Sequence, residues 1–227
     1  MAGVIVESNA STLASGASGA KMLAALAAYS EALGPWAEKL VSRALAKIDT
    51  DARRAFQAQS KAIFRGLRGL VADDAVGKRL RELQASQVQL IKSIPTEAGK
   101  WAQERARSGM VAGLRPEEIA KDIERAGDVT EGRARVIART ETAKANSMLT
   151  QARAESVGST GYYWRTMEDE VVRDSHREMA ERSDAGEIFS WSSPPTLSDG
   201  ESHHPGQFPN CRCYPEPVLL PVDEGTE

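Results

Sequence analysis

The sequence predicts an α+β protein: a long helical N-terminal arm followed by a compact mixed domain with a central helix, short strands and a loop-rich C-terminal part. Three observations predict it. Apolar residues recur at threes and fours through most of the stretch from Lys21 to Val157, the spacing of helix faces that pack on one another. Aromatic residues make up only 5% of the chain while Ala is abundant, which favours helix packing over a large sheet. Both Cys, all three His and seven of the ten Pro lie beyond Tyr162, where Gly, Ser and Pro replace the helical pattern.

A chain of 227 residues with 41% apolar content can bury a core in one domain plus an appendage, or in two small domains. Its formal charge of −3 gives no long-range attraction for nucleic acid. Any genome contact would need a local basic face, such as Arg53, Arg54, Lys61, Arg65 and Arg68, and would not be sequence-specific. No apolar run approaches the roughly 18 to 20 residues that cross a bilayer, so no membrane association is expected. Residues 1–19, rich in Ser, Ala and Gly without a basic n-region, read as a flexible tail, as do residues 221–227. Two cysteines one residue apart do not form the framework of a small secreted domain. The expected compartment is the cytoplasm, or a particle assembled there.

The arm is expected over residues 20–94. From Lys21 to Ile48 the apolar stripe is Leu23, Leu26, Leu33, Trp36, Leu40, Val41, Leu45 and Ile48. Gly34-Pro35 interrupts it, predicting a kink or two helices that meet there. A second helical region runs from Asp51 to Ile94, with Phe56, Ile63, Leu67 and Leu70 on one stripe and Val76, Leu80, Leu83, Leu90 and Ile94 on another. The second stripe has alternating four-three spacing broken only by Gln87, the seam of a coiled coil or hairpin. A bend is expected near Asp73-Asp74, beside Gly66, Gly69 and Gly77. Such a stripe is either the core of an intramolecular hairpin or a docking face, in which Leu80, Leu83 and Leu90 would bind a partner.

The mixed domain is expected over residues 95–220. Pro95 should close the arm, with Thr96 capping a helix through Ser108, a turn at Gly109 and Gly113, and a short helix from Pro116 to Gly127. The longest helix should span Thr130 to Val157, closed by Gly158. Ala134, Ile137, Ala138, Ala145, Met148, Leu149 and Ala152 fall within one arc of roughly 120°. Glu141 falls inside that arc, which predicts an ion pair with Arg165 or Arg173 from the following segment. Tyr162 to Thr166 alternates bulky and polar residues after Gly161 and reads as a strand; Val171 to Arg182 reads as a helix carrying Arg173 and His176.

A loop-rich segment beyond Ser183 needs pinning from outside its own hydrogen-bond ladder. Cys211 and Cys213 with His176 and either His203 or His204 could hold a structural zinc ion. The alternatives are packed thiols with His176 bonded to a carboxylate, or a Cys211–Cys213 disulfide. Asp169, Arg173, His176 and Cys211 would also suit an enzymatic or toxin-like module, but no phosphate loop, nucleophile elbow or metalloprotease pattern accompanies them. The residues therefore favour a non-enzymatic protein.

Taken together, Arg135-x-Ile137-Ala138-Arg139-Thr140-Glu141, Ala145-Asn146, Gly161, Trp164, Asp169-x-x-x-Arg173-x-x-His176, Pro205-Gly206 and Asn210-Cys211-Arg212-Cys213 resemble the phage Mu F-like family of head morphogenesis proteins. The order and spacing match over about Ala112 to Val218. The resemblance implies a minor capsid protein of a tailed bacteriophage or prophage, found in the virion head and in the host cytoplasm during assembly. Its implied partners are the portal protein, the major capsid protein, or both. It carries Arg139, Glu141, Asp169, Arg173, His176, Asn210, Cys211 and Cys213 as signature positions without assigning them a reaction. The arm, to about Ile94, lies largely outside the match and would hold partner specificity.

Overall fold

A computed structural model of the chain describes residues 16–59 and 73–219. Ile63, Leu67, Leu70, the glycines at 66 and 69, and the basic positions Lys61, Arg65 and Arg68 lie outside the described residues, as do residues 1–15 and 220–227. The described residues are mostly helical with one small antiparallel sheet, the α+β class the sequence predicts. By contacts the chain forms two compact units: Met1–Ser42 with Ala85–Arg135, and Arg43–Gln84 with Val136–Glu227.

Helix α1 spans Gly16–Ala32 and α2 spans Gly34–Gln59, so two helices do meet at the Gly34-Pro35 break. Pro35 sits in the first turn of α2, where a missing N–H costs nothing. No boundary follows Ile48: Lys47 pairs with Asp51 at 2.8 Å and the Thr50 hydroxyl donates to the Ala46 carbonyl, so the polar run is satisfied within the helix. The buried stripe of α2 is Ala37, Val41, Leu45, Ala52 and Phe56. Trp36 and Leu40, expected on that stripe, are 56% and 45% exposed. Small Ala37 takes the inward position beside Trp36.

Helix α3, Asp73–Val111, continues through Pro95, which the sequence reading made a terminus. Pro95 is fully buried, and the hydroxyls of Ser93 and Thr96 donate to the carbonyls of Leu90 and Ser93 beside it. Burial and these bonds outweigh one lost backbone hydrogen bond. Thr96 is thus inside a helix and caps nothing. Leu83 is buried within this chain, and Leu80 and Leu90 are half-buried, so that stripe is mostly covered without a partner. In the first unit Met22, Leu26, Ala106 and Ile119 form the core, and Lys92 pairs with Glu31 at 2.7 Å. A Cβ on Gly99 would clash with the Leu26 side chain, so this glycine lets α1 and α3 approach closely.

Helix α4, Pro116–Ser156, begins at the expected proline and runs unbroken through Gly127. At its start the Glu118 carboxylate accepts the Arg115 backbone N–H at 2.9 Å, half of a capping box. At its end Gly158 has φ +84°, with Ser159 N–H donating to the Ala154 carbonyl and Gly158 N–H to that of Glu155. That is the Schellman arrangement, and it supports the predicted stop at Gly158. Only the C-terminal part of the predicted arc is buried: Ala145, Leu149 and Ala152 are inside, whereas Ala134 and Ala138 are exposed.

The second unit is built on a sheet of order β2-β1-β3, with β1 Gly161–Arg165, β2 Phe189–Ser190 and β3 Tyr214–Pro217. Both pairings are antiparallel, with Tyr162 opposite Phe189 on one side and Pro217 on the other. Alternation along β1 sends Tyr162 and Trp164 fully into the core and leaves Tyr163 and Arg165 half-exposed. Helix α5, Asp174–Asp184, packs beneath, and the Ser183 hydroxyl accepts the Trp164 backbone N–H at 2.7 Å. The core comprises Phe56, Ala154, Tyr162, Trp164, Met179, Phe189, Trp191 and Leu197 with both cysteines.

Candidate functional site

The site forms where residues 203–213 return to the start of α5 and the side of α4. Arg173, extended at φ −63° and ψ 148°, precedes α5 and places His176 in its first turn, buried against the edge of the Trp164 ring at 5.5 Å. Both cysteine sulfurs lie 3.4 Å from His176 Nδ1. The Cys213 backbone N–H donates to Cys211 Sγ at 3.3 Å. Both thiols are free, so the disulfide alternative is not what the structure contains.

The two candidate histidines of the loop separate. Tyr162 Oη lies 2.8 Å from His204 Nδ1, which places His204 toward the sheet. His203 packs on His176, ring centroids 5.2 Å apart. His203 Nδ1 is 3.1 Å from the His204 carbonyl. A carbonyl only accepts, so Nδ1 carries the proton and Nε2 keeps its lone pair. Burial pushes both loop histidines below the usual imidazole range and keeps them neutral. The Cys211 thiol is lowered, first because Cys213 donates to it and then because His176 faces it, while Cys213 is raised by its bond to Cys211 and by burial.

Around these donors the other signature positions act as fasteners. Asn210, in the left-handed region at φ +57°, donates its backbone N–H to Thr140 Oγ1 at 2.8 Å and accepts from Arg139 at 3.1 Å. Asp169 pairs with Arg212 at 2.7 Å. Arg173 donates to the Pro209 carbonyl at 3.0 Å and lies over the Phe208 ring. Four bonds, two from Arg139-Thr140 on α4 and two from Asp169 and Arg173 ahead of α5, thus hold residues 209–213. Of the two arginines expected to pair with Glu141, Arg165 binds Glu216 and Asp184, and Arg173 is engaged as above. Glu141 is half-buried.

Asp169 and Arg173 serve the loop, and among the described residues His176 Nε2 has no hydrogen-bond partner to orient the ring as a general base. A recess of about 450 Å³ borders Cys211, Arg212 and Cys213 and is otherwise lined by α4, including Arg139, Thr142 and Asn146. Sequence reasoning missed Arg153, whose buried guanidinium bonds the Asp49 carboxylate; only its adjacency to Ala152 on the buried arc signalled it.

Gly206 sits between α4 and the cysteine segment. Its φ is +83°, and an added Cβ would meet the carbonyl oxygens of Cys213 at 3.0 Å and Ala143 at 3.1 Å. Gly200 has φ +87° with open space around it. Gly206→Ala is expected to destabilise by roughly 2 kcal/mol or more, and Gly200→Ala by only the left-handed strain of about 1–2 kcal/mol. Thermal unfolding of the two variants checks this; equal losses would show that no close approach exists at Gly206.

A family model described as phage Mu protein F like protein matches residues 101–215, which include every signature position. An uncharacterized protein of Haemophilus influenzae is 40% identical over 144 residues, covering 63% of this chain and 30% of that protein. The chain thus spans less than a third of that relative's length. No solved structure matches.

Proposed function

We propose that this chain, which belongs to the phage Mu protein F like family, serves as a minor capsid protein at the portal, on the inner side of the head of a tailed bacteriophage. Its family is one of phage head morphogenesis, and the match over residues 101–215 is the observation that carries the reading. The site's geometry is consistent with it: Arg139, Asp169, Arg173 and Asn210 spend their polar groups on binding one loop to its own domain, as a structural part requires. The chain acts in the virion, having joined it in the host cytoplasm during assembly. No helix among the described residues is long and apolar enough to cross a membrane.

Docking falls to the segment before the matched region. Trp36 and Leu40, one turn apart on α2, are exposed, as is Tyr29 of α1. Exposed aromatic side chains of this kind carry much of the energy at protein interfaces. Co-expression with the portal and major capsid proteins of the same phage tests this. The portal protein is expected to retain the chain, and Trp36→Ser with Leu40→Ser to abolish retention without changing the melting temperature. Retention by the major capsid protein alone would overturn the portal assignment.

A further inference from the structure

We propose that His176, Cys211 and Cys213, completed by His203, form a structural zinc site that locks the C-terminal loop onto α5. Independent of the head function, the inference rests on donor geometry. A tetrahedral ion with Zn–N of about 2.0–2.1 Å and Zn–S of about 2.3 Å sets its N and S ligands about 3.5 Å apart. Here one imidazole nitrogen lies 3.4 Å from each of two sulfurs. A ring nitrogen has a single lone pair or a single proton, so it serves one thiol well, not two equally. An ion between the three atoms serves both.

All three side chains are buried, and their donor atoms lie within 4.8 Å of one another. Two thiolates neutralise a divalent cation, which such a buried position demands. Thiolate with imidazole selects zinc over magnesium or calcium, which prefer oxygen. His203, outside this group of three but with its ring 5.2 Å from that of His176, would close in as the fourth donor. Its Nδ1 proton is spent on the His204 carbonyl, and its buried Nε2 has no partner among the described residues. That backbone bond is the outer-shell contact that orients a ligating imidazole. The Cys213 N–H bond to Cys211 Sγ does the same for a thiolate. Residues 191–213 contribute no long strand or helix, so a metal crosslink supplies the rigidity their backbone lacks.

The full chain, purified without a polyhistidine tag, is expected to hold one zinc per molecule through gel filtration in metal-free buffer. Cobalt substitution should give sulfur-to-metal charge-transfer absorption in the near ultraviolet with the visible bands of a tetrahedral site. His203→Gln should remain folded and release zinc at a chelator concentration lower by roughly tenfold or more. Cys211→Ser and Cys213→Ser should lose the metal, and if they fail to fold the cobalt spectrum of the unaltered chain still decides. Protein refolded with equimolar zinc that retains none, with thiols reacting equally fast before and after chelator, would overturn the site. Unchanged zinc release in His203→Gln would remove His203 from it.

Discussion

Arg153→Met should lower the stability of the chain by about 3–5 kcal/mol, the cost of stranding one member of a buried ion pair. Arg153 is 2% exposed and Asp49 16%. The guanidinium bonds the Asp49 carboxylate and also reaches the Leu149 and Asp49 carbonyls, so removing it leaves a largely buried anion with only the exposed Arg53, 3.6 Å away, as a cationic partner. Burial, the largest influence, and the like charge of Arg53 leave the Arg153 pKa lowered despite the pull of Asp49. A second expectation follows from that imbalance. Arg153→Met combined with Asp49→Leu should regain most of the loss, because a well-packed apolar pair replaces two desolvated charges. Thermal unfolding across the double-mutant cycle checks both. A single variant within about 0.5 kcal/mol of the parent, the range of ordinary surface substitutions, would contradict the buried pair.

Trp164→Ala is expected to cost a similar amount, about 3–5 kcal/mol, and to disorder the site as well. The indole is fully buried on the central strand and touches Phe189, His176 and His203, with centroids 6.5, 5.5 and 5.7 Å away. Its removal opens a void between the sheet and both histidines, which packing around Met179 cannot fill without moving α5. Near-ultraviolet circular dichroism should lose the contribution of buried Trp191 along with that of Trp164, since Trp191 stacks on Tyr162 of the same strand at 4.4 Å. Trp164→Phe keeps most of the volume and should retain the Trp191 signal. Retention of that signal in Trp164→Ala would place the indole outside the shared core.

The parts of the fold legible in the sequence were those decided locally. Gly161 to Arg165 alternates large and polar side chains, Gly158 supplies the left-handed residue that ends α4, and Gly34-Pro35 separates α1 from α2. Pro95 marks a position where tertiary packing overrode a local breaker, since it is fully buried inside α3, and Gly127 likewise lies within a continuous helix. On α2 two neighbouring stripes compete, one through Trp36 and Leu40 and one through Ala37 and Val41. Hydrophobicity favours the first, yet close helix approach selects the second, with its small alanine.

For the site, the set of residues was legible and most of the pairings were not. Spacing brought His176, Cys211 and Cys213 forward as one group of donors, and the structure gathers them. It did not show that Asp169 would meet Arg212, that Arg173 would meet the Pro209 carbonyl, or that Arg139 would meet Asn210, because each contact joins segments more than 35 positions apart. Arg153 and Asp49 are separated by 104 positions and carry no local signature of a partner. Glu141 was placed on a buried arc that is in fact buried only from Ala145 onward.

The position of the chain in an assembled particle tests the proposed role most directly. A reconstruction of the phage head without imposed icosahedral symmetry is predicted to show the folded unit of α4, α5 and the three-stranded sheet inside the head beside the portal, with the Trp36 and Leu40 face of α2 against a portal subunit. Heads that are complete and filled with DNA but contain no copy of the chain, by density and by mass spectrometry of the same particles, would contradict it.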